Sequence, residues 1–349
     1  MFRLKSRRIG VVAVCMAAAT LLTACLSDNG PLTLISPPSG SPYYDAADPA
    51  MAQFGCGGPQ CYQIYTTEGA GVGLYNIPGW SETTSGTPIA GTFQEQLLTR
   101  PGWAAPFSLI PRDWGPSVVS FQGQYLMAYG MKDNSTGAEC VGFGYSVNSS
   151  PNSGFNSIAF HICDPLAGAS PSYWALDPYL FAQSPTTLYI AWAVEGQAAH
   201  TSVNACCGIK IQQLTVTGSG SATTINYTSS AGQVGPVMWN GAEFRPAGPG
   251  FNAGSWPYIE NPAIVLDKSG GYDITTSMGT WNISGAYVTG YINCKSLTSA
   301  STCTISTESI GLFGGESFLR NSTSTPDPFV YSPSGPPNRA TMQSTASSY

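Results

Sequence analysis

The sequence is poor in charged residues, in basic residues above all, and in histidine. Charged side chains make up 9 % of the 349 residues, with 13 Lys and Arg against 19 Asp and Glu, whereas globular chains average about 25 %. A net charge of −6 without a basic patch argues against a protein that binds nucleic acid through its phosphates. Two histidines, His161 and His200, leave little room for a zinc site built on a histidine cluster.

Long stretches with helical periodicity are also missing. Short runs rich in Val, Ile, Tyr, Phe and Thr recur instead, and these predict β-strands; examples are residues 62–66, 124–129, 187–192 and 287–292. With 42 % hydrophobic and 11 % aromatic residues, the chain does not have the composition of a disordered protein. An all-β protein of this length is a large sandwich, a solenoid or a propeller.

The first 24 residues are typical of an export signal. Four basic residues within the first eight positions precede the apolar stretch 9–22, and Leu22-Thr23-Ala24-Cys25 ends it. The sequence therefore predicts a signal peptide over 1–24. Its end resembles the lipobox of bacterial lipoproteins, in which Cys25 would carry acyl chains such as palmitate. Ordinary secretion with cleavage after Ala24 is the alternative.

The lipid is expected to hold the protein on the extracellular face of the cell envelope. Cleavage removes four of the 13 basic residues and no acidic one, which takes the net charge from −6 to −10. Such an acidic body does not bind anionic lipid through its surface, so the lipid is the predicted membrane contact. Residues 25–42 are predicted to form a tether, and residues 43–349 a single domain that we expect to be a monomer.

Eight cysteines remain when Cys15 leaves with the signal and Cys25 carries the lipid. An even number in an exported protein predicts disulfides. A metal site is the alternative, although the spacings lack paired C-x-x-C motifs. Local pairing predicts Cys56–Cys61, Cys140–Cys163, Cys294–Cys303 and a vicinal Cys206–Cys207 pair.

One motif recurs along the chain: a proline near the start of an apolar strand, followed by a Tyr-rich strand. The copies contain Asp48-Pro49, Trp114-Gly115-Pro116, Asp177-Pro178, Glu260-Asn261-Pro262 and a degenerate Gly314-Gly315-Glu316. A mean spacing of about 65 residues suits five four-stranded blades. The sequence therefore predicts an all-β, five-bladed β-propeller, with chance recurrence in a β-rich chain as the alternative.

Three carboxylates stand at nearly matching points of this repeat. Asp48, Asp177 and Glu260 belong to blades one, three and four, and the innermost strands of a propeller line one central channel. Facing carboxylates push their pKa values apart, which suits glycoside hydrolysis, where one acid donates a proton and one ionised carboxylate acts as base or nucleophile. For each aspartate alone, a turn or cap role before proline is the alternative.

Together these motifs resemble the successive blade motifs of glycoside hydrolase family 43. The segment 140–146 resembles a second-blade strand of that family and 287–296 a fourth-blade strand, and the resemblance covers roughly residues 43–331. It implies an inverting glycosidase acting on pentose-containing glycans, first of all arabinan or arabinofuranosidic linkages. A β-xylosidase or galactanase of the same family, a non-catalytic glycan-binding surface lipoprotein and a structural envelope lipoprotein are the alternatives.

The resemblance also implies a role for each acid. Asp48 corresponds to the general base that activates water, and Glu260 to the general acid. Asp177 corresponds to the residue that tunes the pKa of the acid and holds its orientation.

The sequence departs from the family in two blades. The fifth blade often carries a histidine linked to a central ion, but Gly314-Gly315-Glu316 has none. No cofactor is therefore expected, and a structural calcium ion in the channel has little support. In the second blade, Gly115 and Ser117 stand where members often have Ala and Asp, which leaves the substrate subtype open.

Aromatic residues beside the predicted channel are candidates for stacking on sugar rings, with packing inside the blades as the alternative. His161 lies in an apolar strand and is expected to be structural, and His200 lies in a polar loop. The predicted substrate-binding residues are Trp114, Trp256, Tyr258 and Tyr44.

Overall fold

In the computed structural model, the described part of the chain consists of β-strands with short 3-10 turns. No helix in this part is long and apolar enough to cross a membrane. Cys25 and the rest of the predicted signal peptide lie outside it. The described residues are 32–33, 47–53, 61–68, 71–78, 92–94, 98–102, 104, 114–150, 154–163, 173–196, 208–228, 259–267, 269–279, 287–311, 313–318, 328–333 and 341–344.

The strands follow the predicted repeat, and all four short runs singled out in the sequence lie in strands. In chain order the strands are β1 (Leu32–Thr33), β2 (Ala47–Gln53), β3 (Cys61–Glu68), β4 (Gly71–Pro78), β5 (Thr92–Gln94), β6 (Trp114–Phe121), β7 (Gln124–Lys132), β8 (Glu139–Ser146), β9 (Phe155–Ile162), β10 (Tyr173–Ser184), β11 (Thr187–Gly196), β12 (Gly208–Thr217), β13 (Thr224–Tyr227), β14 (Ile259–Leu266), β15 (Tyr272–Gly279), β16 (Tyr287–Cys294), β17 (Cys303–Gly311), β18 (Phe313–Phe318), β19 (Pro328–Pro333) and β20 (Thr341–Ser344).

These strands form five four-stranded antiparallel sheets. Four sheets take consecutive strands, β2–β5, β6–β9, β10–β13 and β14–β17, and the fifth has the order β1-β20-β19-β18. The first strands of the five sheets, β2, β6, β10, β14 and β18, contact one another in sequence, and β18 contacts β2. The contacts close a ring, so the predicted five-bladed β-propeller is confirmed.

Both ends of the described chain contribute to the fifth blade. Leu32 pairs with Met342 and Thr33 with Thr341, so β1 forms the outer edge of the sheet that β18–β20 begin. The fold therefore includes two residues of the segment 25–42 for which the sequence predicts a tether. Antiparallel pairing of the first and last strands joins segments more than 300 residues apart in the sequence.

The hydrophobic core lies between neighbouring blades. One cluster joins blades one and two around Tyr65 and Tyr129, and another joins blades two and three around Trp192. A third joins blades three and four around Ile211 and Ile274. Because a blade is covered on both faces, its middle strands are buried along their length, which explains why their sequences are apolar runs rather than alternating patterns.

Two of the predicted disulfides are present. Cys140–Cys163 joins β8 to the residue after β9, and Cys294–Cys303 joins the end of β16 to the start of β17. The predicted pairs Cys56–Cys61 and Cys206–Cys207 involve residues outside the described part.

Candidate active site

Each innermost strand carries the same β-bulge near its start. Two of its residues face one residue of the second strand, so the pairing register shifts at this point in every blade. A bulge accepts proline because its backbone nitrogen is not needed for the sheet ladder. The bulge residues are Asp48-Pro49, Gly115-Pro116, Asp177-Pro178, Asn261-Pro262 and Gly315-Glu316.

The residue before proline is left-handed at all four X-Pro bulges. The φ angles are 44° for Asp48, 54° for Gly115, 50° for Asp177 and 50° for Asn261. Gly, Asn and Asp are the residues that adopt this conformation at least cost. The backbone therefore explains why the repeat uses only these three residue types before its prolines.

Glu260 occupies a different position from the two aspartates. It pairs with Ser277 immediately before the bulge, whereas Asn261 takes the place that Asp48 and Asp177 hold in their blades. The expectation that the three acids stand at nearly matching points is therefore off by one residue. Alignment of the repeat on its prolines would have given the correct register.

The four X-Pro bulges line one pocket at the centre of the ring. The pocket has a volume of about 270 Å³, which includes space open to solvent, and is completed by Ala50 and Tyr179. Asp48 and Asp177, 129 residues apart in the sequence, thus lie on its wall together. Tyr179 was not singled out in the sequence, although it directly follows the Asp-Pro motif of the third blade.

Asp177 is buried against the other two acids. Burial raises the pKa of Asp177 well above its usual value, and the charges of Glu260 and Asp48 raise it further. The backbone N–H of Asn261 donates a hydrogen bond to Asp177 Oδ2 at 3.3 Å and acts in the opposite direction. The three carboxyls are therefore one interacting group, which keeps a proton at a pH where an isolated aspartate has lost it.

Asp48 is better supplied with hydrogen-bond donors. Thr67 Oγ1 donates to Asp48 Oδ2 at 3.0 Å, and the side chain of Asn261 also hydrogen-bonds to Asp48. Burial is the largest effect and raises the pKa of Asp48 above its usual value, while both hydrogen bonds act in the opposite direction. The two aspartates thus differ in environment: hydrogen bonds offset part of the effect of burial at Asp48, whereas the neighbouring charges add to the effect of burial at Asp177.

Glycine in the second blade leaves space for Asp177. A Cβ on Gly115 would lie 2.9 Å from Asp177 Oδ1 and 3.2 Å from its Cα. Ser117 Oγ accepts a hydrogen bond from the backbone N–H of Leu180 at 2.8 Å. The two departures from the family pattern in this blade therefore both contact the strand that carries Asp177.

Among the predicted aromatic residues, Trp114 is described by the structure. It pairs with Gly130 in the position immediately before its bulge, as Glu260 does in blade four. Its indole covers Gly130, where a Cβ would lie 2.7 Å from Trp114 Nε1. The other predicted substrate-binding residues, Tyr44, Trp256 and Tyr258, lie outside the described part.

One cluster in blade two has the residue types of a metal site. Asp133, His161 and Cys163 bring ligand atoms within 4.8 Å of one another. The sulfur of Cys163 is bonded to Cys140, and Asp133 Oδ1 accepts four hydrogen bonds from Ser135 and Thr136. His161 lies in β9 with Nδ1 3.1 Å from the carbonyl oxygen of Ala159. The disulfide and these hydrogen bonds therefore engage all three side chains within blade two.

No family model matches the chain, and no curated protein matches it. Solved structures do match. A thermostable family-43 glycoside hydrolase is 16 % identical with a TM-score of 0.58, covering 86 % of this chain and 88 % of that one. The chain has the fold of the family-43 glycoside hydrolases.

Two further structures support this assignment of the fold. An α-L-arabinofuranosidase from Lactobacillus brevis is 16 % identical with a TM-score of 0.56, covering 89 % of this chain and 92 % of that one. An endo-arabinase from Bacteroides thetaiotaomicron VPI-5482 is 14 % identical with a TM-score of 0.58, covering 90 % and 97 %. The likeness extends over nearly the whole of both chains, so the family resemblance of the sequence motifs is confirmed at the level of the fold.

Proposed function

We propose that this protein is a glycoside hydrolase that cleaves pentose-containing glycans with inversion of configuration. The observation that carries the proposal is the meeting of acids from separate blades: Asp48 and Asp177 share the central pocket, and Asp177 interacts with Glu260. The chain has only 19 acidic residues, and like charges in a partly buried site repel one another and destabilise the fold. Acids that are grouped in spite of this repulsion are typical of a functional site.

The environments of the acids support distinct roles. Asp48 is the general base: its hydrogen bonds favour the carboxylate, which can accept a proton from the attacking water. Glu260 is the general acid that protonates the leaving oxygen. Asp177 is the residue that tunes the general acid and holds its orientation; the charge of Glu260 raises the pKa of Asp177, so the two carboxyls interact directly.

The substrate proposed first is arabinan or another arabinofuranosidic glycan. Two of the similar structures are named as an arabinofuranosidase and an endo-arabinase, which supports this choice ahead of a β-xylosidase or galactanase activity. Trp114, Tyr44, Trp256 and Tyr258 are the proposed stacking residues, because flat aromatic faces suit the apolar faces of sugar rings.

The test is hydrolysis of arabinan, arabinoxylan, xylan and arabinogalactan, with the anomeric configuration of the first product followed by NMR. Glu260→Gln should lower kcat/KM at least about a hundredfold, since general acid catalysis contributes that much or more. Glu139→Gln is the matched control: it makes the same change in β8 and should retain activity. A Glu260→Gln variant that keeps full activity would remove Glu260 as the acid.

A glycan-binding protein without activity is the second candidate. The bulges of blades two, four and five carry no carboxylate at their first position, where Gly115, Asn261 and Gly315 stand, so only Asp48 and Asp177 place an acid there. Glycan affinity without release of reducing ends from any of the four substrates would favour this candidate.

We also propose that Cys25 is acylated and that the protein is a monomer on the extracellular face of the cell envelope. The basic, apolar and Leu22-Thr23-Ala24-Cys25 segments support export and lipidation. Cys25→Ala should abolish incorporation of labelled palmitate and release the protein from membranes, whereas Cys15→Ala should do neither. Sedimentation of the detergent-free protein starting after Cys25 tests the monomer.

A further inference from the structure

The donor and acceptor roles of the Thr67 hydroxyl can be assigned in both of its hydrogen bonds. The backbone N–H of Gly115, in the second blade, lies 2.9 Å from Thr67 Oγ1. A backbone N–H can only donate, so Thr67 Oγ1 is the acceptor in this bond. The one proton that the hydroxyl carries is then available for Asp48 Oδ2, 3.0 Å away.

Because Thr67 donates its proton, Asp48 Oδ2 must be the acceptor of this hydrogen bond. Thr67 is fully buried, so water does not compete for its proton. A protonated Asp48 would offer a second donor in the same region, while an ionised one offers only acceptors. The bond is therefore charge-assisted in the ionised form and is weaker when Asp48 takes up a proton, since a neutral carboxyl oxygen accepts less strongly.

Asn261 provides a second donor from another blade. Its backbone is held in the left-handed bulge of β14, with its N–H on Asp177, and its side chain hydrogen-bonds to Asp48. One residue of the fourth blade thus contacts both aspartates. Asp48 receives one donor from its own blade and one from the blade that carries Glu260.

We propose that Thr67 and Asn261 are positioning residues that hold Asp48 as an oriented carboxylate, the form in which it accepts a proton from water. The inference rests on the proposed function, in which Asp48 is the general base. Thr67 acts within a relay that begins at the Gly115 amide, and Asn261 acts from a backbone position that the bulge fixes.

Other titratable groups around Asp48 are the same in every variant compared below. Asp177 lies on the wall of the same pocket, and the charges of both Asp48 and Glu260 act on it. Of the strands packed on β2, β3 carries Cys61, Tyr62, Tyr65 and Glu68 in its sequence, and β6 carries no titratable residue. The remaining two contribute Glu316 from β18 and Tyr331 from β19.

The experiment measures Asp48 directly. Carboxyl ¹³C NMR follows the titration of Asp48, assigned as the signal that disappears in Asp48→Asn. Asparagine is suitable for the assignment because Asn261 already occupies the equivalent bulge at φ 50°. Thr67→Val removes the hydroxyl with little change of shape, and Asn261→Gly removes the amide while permitting the left-handed backbone.

Both variants should move the titration midpoint of Asp48 upwards, because each removes a donor to the charged form. Thr67→Ser should restore the wild-type midpoint. The matched control is Thr275→Val: Thr275 is buried on β15, its hydroxyl has no hydrogen-bond partner among the described residues, and its loss should leave Asp48 unchanged. The acidic limb of the kcat/KM profile should shift together with the titration of Asp48. At a pH below that limb, Thr67→Val and Asn261→Gly should each have a kcat/KM about tenfold lower than the wild type.

An unchanged Asp48 midpoint in Thr67→Val or in Asn261→Gly would overturn the assignment of that residue. If Thr67→Val does not fold, the Gly115 amide of the wild type provides the measurement: its proton shift should follow the Asp48 titration and lose that step in Asp48→Asn. Absence of the step would also overturn the relay. Because NMR titration requires no substrate, a protein that hydrolyses none of the glycans yet shows these shifts would refute the proposed function alone.

Discussion

The position of the Asp177 side chain depends on residue 115 being a glycine. Gly115→Ala would place a methyl group 2.9 Å from Asp177 Oδ1 at a residue with φ 54°. The left-handed backbone alone costs about 1–2 kcal/mol for a residue with a Cβ, and the contact should displace Asp177. We expect both a lower unfolding free energy and lower kcat.

The matched control for this substitution is Gly123→Ala. Gly123 has φ 76° in the turn between β6 and β7, and a Cβ there meets nothing within 4 Å. This variant should lose comparable stability in urea denaturation and retain kcat. Equal kcat values for the two variants would show that Asp177 tolerates the methyl group.

Glu139 should make stability depend on pH. Burial raises its pKa from 4.5 to about 7, with Lys132 acting in the opposite direction. Between these values the folded protein keeps a proton that the unfolded chain has released, so this carboxyl lowers the unfolding free energy as the pH rises. Glu139→Gln, which does not titrate, should gain stability relative to the wild type between pH 4.5 and about 7.

The measurement for Glu139 is the urea midpoint of both proteins at several pH values. The two curves should coincide near pH 4 and diverge up to neutral pH, then run parallel. Parallel curves over the whole range would show that Glu139 has an ordinary pKa in the fold.

The sequence predicts which residues lie together in the site better than it predicts their strand register and their hydrogen bonds. Asp48, Asp177 and Glu260 could be selected because few acids occur and the repeat carries them. The one-residue offset of Glu260 could not be read from apolar runs, since a bulge changes register without changing composition. Thr67 gave no signal: it is 19 residues from Asp48, and only strand pairing brings the two together.

At the scale of elements, the two disulfides close loops of different length. Cys140–Cys163 spans 23 residues and Cys294–Cys303 spans nine. A cross-link restricts the unfolded chain more when its loop is longer, and loops of this size give about 3 kcal/mol. Replacing both cysteines of a pair by alanine should therefore destabilise more for Cys140 and Cys163.

Denaturation without reductant measures this difference, with the other disulfide intact as an internal reference. A larger loss for the Cys294–Cys303 pair would contradict the chain-entropy explanation. The pairings themselves were predictable because both join neighbouring strands, and cysteines near the adjoining ends of such strands are close in space.

At the scale of the whole molecule, the short strand β1 completes the fifth blade. A chain that begins at residue 35 lacks Leu32 and Thr33, which pair with β20. Loss of the few hydrogen bonds in this pairing should lower the unfolding free energy by about 1–2 kcal/mol. A chain that begins at residue 30 retains the strand and is the control; equal urea midpoints would contradict a role in closure.

This contribution of β1 was not predictable from the sequence. Two residues are too short a run to show a strand pattern, and the surrounding Pro and Ser residues are typical of a linker. The five repeats, by contrast, were predictable because each blade must build its own buried strands. Closure depends on a partner at the far end of the chain, which a local pattern does not reveal.

The common backbone of the X-Pro bulges has an evolutionary consequence. Codons for Asp, Asn and Gly differ from one another by one or two nucleotides, and all three amino acids fit the left-handed position before proline. Point mutation can thus add or delete an acid in one blade while the ring keeps its shape. A single point mutation at such a position would therefore change the charge of the central pocket while leaving the backbone that builds it unaltered.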